Sequence, residues 1–276
     1  LQEVSNDKYL KLYKIESDLV DYNETVLKNS VSFTHENDNL FFGFSSSIYE
    51  TLNESYNDKY EYILPEITLD RNLINSDKIG KLDLQTNYKF HNYDTNKSTN
   101  FLINNFEWEA NSKNYLSGIN GTLLGNFKNI NYEVKNEDLY KKDTTSEIFG
   151  AIGYLSELNL RKEINQSLQL LRPKILIRYS PGSMRKESEG FLLNPEKAFS
   201  MDRLDNINNF ETGFTGTVGL DYKHKQKDKE FDFSLAQIIS SKENKQMSSK
   251  TSLDEKLSDV VGSTKFNLNE RINLNY

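Results

Sequence analysis

The sequence predicts an all-β protein, an antiparallel up-and-down meander of about a dozen strands. Three observations lead there. Apolar residues recur at every second position in one segment after another, and polar connections separate the segments. Aromatic residues make up 12% of the 276-residue chain, with 16 Tyr and 16 Phe, although only 36% of residues are hydrophobic and the mean hydropathy is -0.72. Such material suits a sheet with one apolar layer better than a doubly covered core, and a disordered chain would carry fewer aromatics. Finally, no run of 18 apolar residues interrupts the pattern, so any membrane crossing would have to be made by a barrel wall.

The elements follow in order. YLKLYKI (Tyr9 to Ile15) alternates and reads as a first strand, though its two faces are not cleanly sorted. VLKNSVSFTH places Leu27, Asn29, Val31 and Phe33 on one side, and the polar ENDN after it reads as a turn into LFFGFSSSIYE, completing a hairpin. YILPEITLD comes next. In KLDLQTNYKF, Leu82, Leu84, Tyr88 and Phe90 share one face and Asp83, Gln85, Asn87 and Lys89 the other. NFLINNFEWEA, SGINGTLLGNFKNINYEV, EIFGAIGYL and LQLLRPKILIRYS continue the series. Pro65 and Pro173 each fall inside an apolar strand, where proline deletes a ladder hydrogen bond and implies a strand start, an edge or a bulge. SPGS (Ser180 to Ser183) fits a type II turn, with Gly182 at the position of positive φ.

Two later segments alternate most regularly. In GFTGTVGLDY, Phe214, Val218, Leu220 and Tyr222 oppose Thr215, Thr217, Gly219 and Asp221. Lys223 to Glu230 then reads as a charged hairpin loop, after which Phe231, Phe233 and Leu235 oppose Asp232, Ser234 and Ala236. In STKFNLNERINLNY, Phe266, Leu268, Ile272, Leu274 and Tyr276 oppose Lys265, Asn267, Asn269, Arg271, Asn273 and Asn275. Several strands reach ten residues or more, close to the 9–11 or so that cross a bilayer at a tilt. Alternation alone fits a soluble antiparallel sandwich equally well.

The chemistry of the chain is sparse. The net charge of -7 argues against an extended nucleic-acid surface, even with Lys223, Lys225, Lys227 and Lys229 clustered together. Zero cysteines exclude disulfides, thiolate metal sites and a cysteine nucleophile. His35, His91 and His224 lack metal-ligand spacing, and Glu107 and Glu109 beside Trp108 read as two carboxylates on a solvated strand face. The glycines of GFTGTVG do not have dinucleotide-binding spacing and precede no helix, so no cofactor is expected; in a strand they allow bending or close packing. No residue is expected to be catalytic.

AFSMDRLDNINNFETGFTGTVGLDY is where the chain resembles a known family. Phe199, Arg203, Glu211, Gly213, Gly219, Leu220 and Tyr222 match a segment of the LptD, or organic solvent tolerance, family of lipopolysaccharide-assembly outer-membrane proteins. Asp202 stands where that family usually has Asn, Asn206 where it has Gly, and Asn208 and Asn209 where it has Asp-Arg. FSLAQI, with Gln237, and SLDEKLSDVVGSTKFNL, with Ser258, Asp259, Val261 and Gly262, are similar to the segments that follow in the family. NDKYLKLYKI, YILPEITLD and LRPKILIRYSPG resemble upstream strands of an alphaproteobacterial type, and the order of all these matches carries the resemblance.

The resemblance implies a barrel of about 26 strands, of which residues 1–276 would be an interior part, with the periplasmic jelly-roll domain and the terminal barrel strands absent. It implies a non-enzymatic role in lipopolysaccharide transport into the outer leaflet of the bacterial outer membrane. The implied partners are lipopolysaccharide, a plug lipoprotein inside the barrel, a periplasmic lipopolysaccharide-bridge protein acting through the N-terminal domain, and outer-membrane lipids, with no nucleic acid. Arg203, Glu211, Gly213, Gln237, Ser258, Asp259 and Gly262 become candidate structural or lumen residues. Phe214, Val218, Leu220, Phe231, Phe233 and Leu235 would face lipid, and Thr215, Thr217, Asp221, Asp232 and Ser234 a wet lumen in which Thr217→Arg is tolerated. The other readings are a general porin or receptor channel and a soluble carbohydrate-binding β-sandwich.

Overall fold

A computed structural model of the chain describes residues 1–276 apart from 1–2, 5, 19, 54–58, 94–95, 116–117, 165–166, 188–191, 228 and 270–271. The elements in order are α1 (Tyr9–Tyr13), β1 (Val26–Asn37), β2 (Leu40–Thr51), β3 (Tyr60–Ser76), β4 (Gly80–Tyr93), β5 (Lys97–Glu109) and β6 (Lys113–Asn114). They continue with β7 (Ile119–Lys135), β8 (Thr145–Leu158), β9 (Leu160–Ile164), β10 (Ser167–Ser180), α2 (Pro195–Ala198), β11 (Gly213–Gln226), β12 (Lys229–Ser240), β13 (Val261–Asn269) and β14 (Ile272–Asn275). All strands join one antiparallel sheet of 14, ordered β1-β2-β3-β4-β5-β7-β8-β10-β11-β12-β13-β14, with β6 paired to β7 and β9 to β10. The meander of about a dozen strands is therefore present. Among the described residues no helix is long and apolar enough to cross a membrane.

The first expected strand is a helix instead. Asn6 starts a turn by accepting from the backbone N–H of Lys8 with its side chain and of Tyr9 with its carbonyl. Tyr9 and Tyr13 then meet one turn apart as tilted rings with centroids 4.8 Å apart, Leu10 is buried, and Lys14 ends the turn with a positive φ of 47°. Seven alternating residues were too few to separate the two periods.

The chain forms two compact units. The first comprises Leu1–Leu73, Asp83–Asn105 and Asn129–Glu147. Within it β1 pairs with β2 in unbroken register from Val26↔Thr51 to Asn37↔Leu40. β2 pairs with β3 through a bulge, since Ser45 and Ser47 face Glu66 and Ile63 and leave an extra residue at Leu64 and Pro65. The bulge thus absorbs the donor that Pro65 lacks, one of the outcomes expected for it. Phe101, Ile103, Ile130, Tyr132 and Val134 are buried in this unit, where Phe101, Tyr132 and Tyr140 form a trio of rings with centroids 5.1–5.6 Å apart.

The second unit comprises Ile74–Leu82, Phe106–Lys128 and Ile148–Tyr276. β10 pairs with β8 as far as Lys174↔Glu157 and with β9 from Leu171↔Leu160. The register is unchanged across the gap, so the interruption of the ladder coincides with Pro173. β11 and β12 pair from Thr215↔Ser240 down to Gln226↔Lys229, which corrects the expected eight-residue loop. Cross-strand contacts of Lys223 with Glu230 and Asp232 keep the charged residues in the ladder as far as its last pair. In the C-terminal hairpin the alternation at 268–273 falls on side chains outside the described ones.

Candidate functional site

The register sorts the faces of β10, β11 and β12. Tyr179, Ile177, Ile175 and Pro173 lie opposite Phe214, Gly216, Val218 and Leu220, and Gly216, Val218 and Leu220 lie opposite Ile239, Gln237 and Leu235 across the next pair. These side chains form one layer. Arg178, Leu176 and Lys174 lie opposite Thr215, Thr217 and Gly219, and these opposite Ser240, Ile238 and Ala236, forming the other. The apolar layer is open: Phe214 is 49% and Val218 40% exposed, with Ile152, Ile175, Ile177 and Ile239 similarly exposed. The polar layer is closed, with Thr217 and Arg178 each only 1% exposed. An ordinary soluble sheet has the reverse arrangement.

The closed layer lies beneath the connection 181–212. Asn194 caps α2 by accepting from the Lys197 N–H, and Pro195 preorganises its first turn. The carbonyl of Ala198 at the helix end accepts from the Thr217 hydroxyl at 2.9 Å. Phe199 and Met201 then reach the strands where glycine leaves space. A Cβ on Gly219 would lie 2.3 Å from the Leu235 carbonyl and 2.9 Å from the Phe199 ring, and one on Gly153 would lie 2.7 Å from the Met201 sulfur. Gly219 is therefore required for close packing, as one of the readings of GFTGTVG anticipates. Ala198, Ala236, Ile238, Met184, Met247 and Leu253 pack together in the apolar part of this interface.

The polar part is a charge network. Arg203, 1% exposed, grips the Glu211 carboxylate with both Nε and Nη2, Nε donating at 2.6 Å, and Nη2 also reaches the Thr215 hydroxyl at 3.1 Å. Arg178 donates to the backbone carbonyls of Met201 and Glu211. Lys128 of β7 meets Asp202 at 2.6 Å and the Asn209 carbonyl at 3.2 Å, so the charge at position 202 is answered across the interface. Phe210, fully buried, stacks on Phe149 at 5.8 Å and lies under the cationic heads of Lys128 and Arg178. Burial alone would push the Glu211 carboxyl up; the Arg203 and Arg178 guanidiniums overcome this and hold it below its ordinary value of 4.5.

The other matched residues serve the next connection. The Ser258 hydroxyl accepts from the Ile238 N–H at 2.9 Å and donates to the Asp259 carbonyl, while the Gln237 amide donates to the Ser258 carbonyl. With the Ser240 N–H to Lys256 carbonyl bond, these contacts lay 256–258 along the end of β12. Asp259 accepts from the Ser252 hydroxyl. Gly213 has a φ of 123° and begins β11; a Cβ on Gly262 would meet only ordinary contacts.

Arg203, Glu211 and Gly213 therefore belong to one interface, and Gln237, Ser258 and Asp259 to its neighbour. Thr217 does not face an open lumen as expected: α2 covers it, so the expected tolerance of Thr217→Arg is withdrawn, because the side chain would have to displace the connection. Asp221 and Lys174, 2.9 Å apart, and Arg172, with its own contact to Asp221, form a half-buried ladder further along the same face. Lys128, Arg178 and Phe210 were missed. The available signal was the period-two placement of Arg172, Lys174 and Arg178 on one face of an otherwise apolar strand.

A profile of the LptD family, described as LPS transport system D, matches residues 1–276. None of the curated proteins compared with the chain matches it.

Proposed function

The chain belongs to the LptD family, whose work is lipopolysaccharide transport, and from that premise we propose that residues 1–276 form part of a transmembrane barrel wall delivering lipopolysaccharide to the outer leaflet of the bacterial outer membrane. The observation that carries the proposal is the inverted polarity of β11, with Phe214 and Val218 exposed and Thr215 and Thr217 buried on opposite faces. An apolar face of this kind is stable against lipid. Aromatic rings bound it at both ends: Tyr179 and Phe214 approach at 6.5 Å at one, and Tyr222, Phe231 and Phe266 follow each other at 6.3 Å steps at the other. Phe214 to Tyr222 spans about 27 Å of strand, the scale of a bilayer's apolar band once tilt is included.

Connection length supports an orientation. From β9 to β14, the pairs β9 and β10, β11 and β12, and β13 and β14 follow one another closely at one end of the sheet, and the longer connections after β10 and after β12 leave the other. Outer-membrane barrels keep short turns in the periplasm and long loops outside, so the buried network of Arg203 and Glu211 caps the outward end. The polar ladder of Arg172, Lys174 and Asp221 would line the wet side along which the saccharide passes. We further propose the family's partners for this chain: a lipoprotein plug inside the barrel, and a periplasmic bridge protein that hands over lipopolysaccharide through an N-terminal domain outside these residues.

Depletion of the full-length protein tests the proposal. Newly made lipopolysaccharide should cease to reach the cell surface, read by its accessibility to an impermeant probe, while outer-membrane porins continue to assemble. Undiminished surface delivery after depletion contradicts the transport role.

A further inference from the structure

At the outward end of β10, β11 and β12 a cavity of 360 Å³ lies between the connections 181–212 and 241–260. Its position is unusual. Its lining includes the Tyr179 and Phe214 side chains, which are half-exposed on the apolar face, together with Ser183, Thr212, Ser241 and Gln246. Met184, Met247 and Leu253 are the buried apolar side chains in its lining. Gly182 and Gly213 line it with positive φ, and a Cβ at either would meet nothing within 4 Å, so the backbone there borders open space.

Thr212 lines the cavity, and its carbonyl accepts from Asn244. Its hydroxyl can pair with a ligand hydroxyl as donor or acceptor. The Glu211 carboxylate in its lining is engaged by Arg203. Hydroxyl and amide groups around thioether and aromatic surface suit a neutral polyol, and the volume lies in the range of small-ligand sites.

We propose that this cavity binds the saccharide of a glycolipid in the outer leaflet, whose acyl chains lie along the apolar face below Tyr179 and Phe214. The inference rests on the transport reading and its orientation of the sheet, because only then does the cavity stand at headgroup level. It gives the wall a site for delivered product, separate from the polar ladder along the inner face.

The test uses the full-length protein in detergent with lipid-free oligosaccharide released from lipopolysaccharide, followed by saturation-transfer NMR and calorimetry. The wild type should bind, Thr212→Val should weaken binding about fivefold, as for loss of one hydrogen bond, and Ser241→Trp, which fills the cavity, should abolish it. Whole lipopolysaccharide in mixed micelles should displace the oligosaccharide, and phospholipid micelles should not. Equal binding by wild type and both variants, no binding by a wild type that still delivers lipopolysaccharide in cells, or equal displacement by phospholipid overturns the proposal. Each of these results leaves the transport reading standing, since that is judged by surface delivery on depletion.

Discussion

Arg203 and Glu211 anchor the connection that covers β10 and β11, and the physics of a buried pair sets what their loss does. Two charges out of water add little net stability together, but removing one leaves the other uncompensated at a cost of about 3–5 kcal/mol. Arg203→Met should therefore release 199–212, seen as lost amide protection in hydrogen exchange, whereas Arg203→Met with Glu211→Leu should restore part of it. A double variant no better protected than the single one would show that the pair is not the anchor. Acid should act in the same direction. The folded Glu211 carboxyl lies below 4.5, so its contribution is complete above the ordinary carboxylate range and is lost as pH falls through the lower folded value. Protection of 199–212, corrected for intrinsic exchange rates, should stay level from neutral pH to about 5 and fall only below that. The sequence resemblance singled out Arg203 and Glu211 because they are eight residues apart in one matched stretch. It could not supply Arg178 or Lys128, which reach the cap from 33 and 74 residues away.

At the scale of elements, β11 states the relation between pattern and solvent. Val218→Arg places a charge on the apolar face and should impair assembly by about 2–4 kcal/mol near the bilayer midplane. Ser234→Arg, on the half-buried polar face, exchanges a hydroxyl that bonds the Asp221 carboxylate for a cation that can pair with it, and should cost less than Val218→Arg. Heat-modifiability of the assembled protein on gels checks both, and equal tolerance at the two positions would contradict the face assignment. β7 carries the same logic along its length. Leu123 and Phe127 are exposed on one face while Asn126 and Lys128 are buried on the other; beyond them Ile130, Tyr132 and Val134 are buried and Glu133 and Lys135 exposed. A strand of 17 residues exceeds the 9–11 or so that a bilayer needs, and its C-terminal half has the polarity of a strand in water. Strand identity and face assignment were readable because period two is unambiguous over ten residues. The α1 helix and the reach of the β11–β12 ladder to Gln226 and Lys229 were not, since one depends on the Asn6 turn and the other on the cross-strand partners of Lys223.

Across the whole molecule, the central claim is that the apolar face of β10, β11 and β12 meets lipid. The membership of the LptD family and the antiparallel meander agree with it, but the solvent on each face is what the claim concerns. The 276 residues contain no cysteine, so single cysteines can carry a fluorophore here without interference from others in this segment. The most direct measurement places the label at Ile175, Val218 or Ile239 and, separately, at Ser234 in the full-length protein in lipid bilayers, and compares quenching by a lipid-borne nitroxide with quenching by a soluble one. The account predicts strong lipid-borne quenching at the first three positions and none at Ser234, where only the soluble quencher should act. Equal lipid-borne quenching at all four positions, or stronger quenching at Ser234, would contradict it.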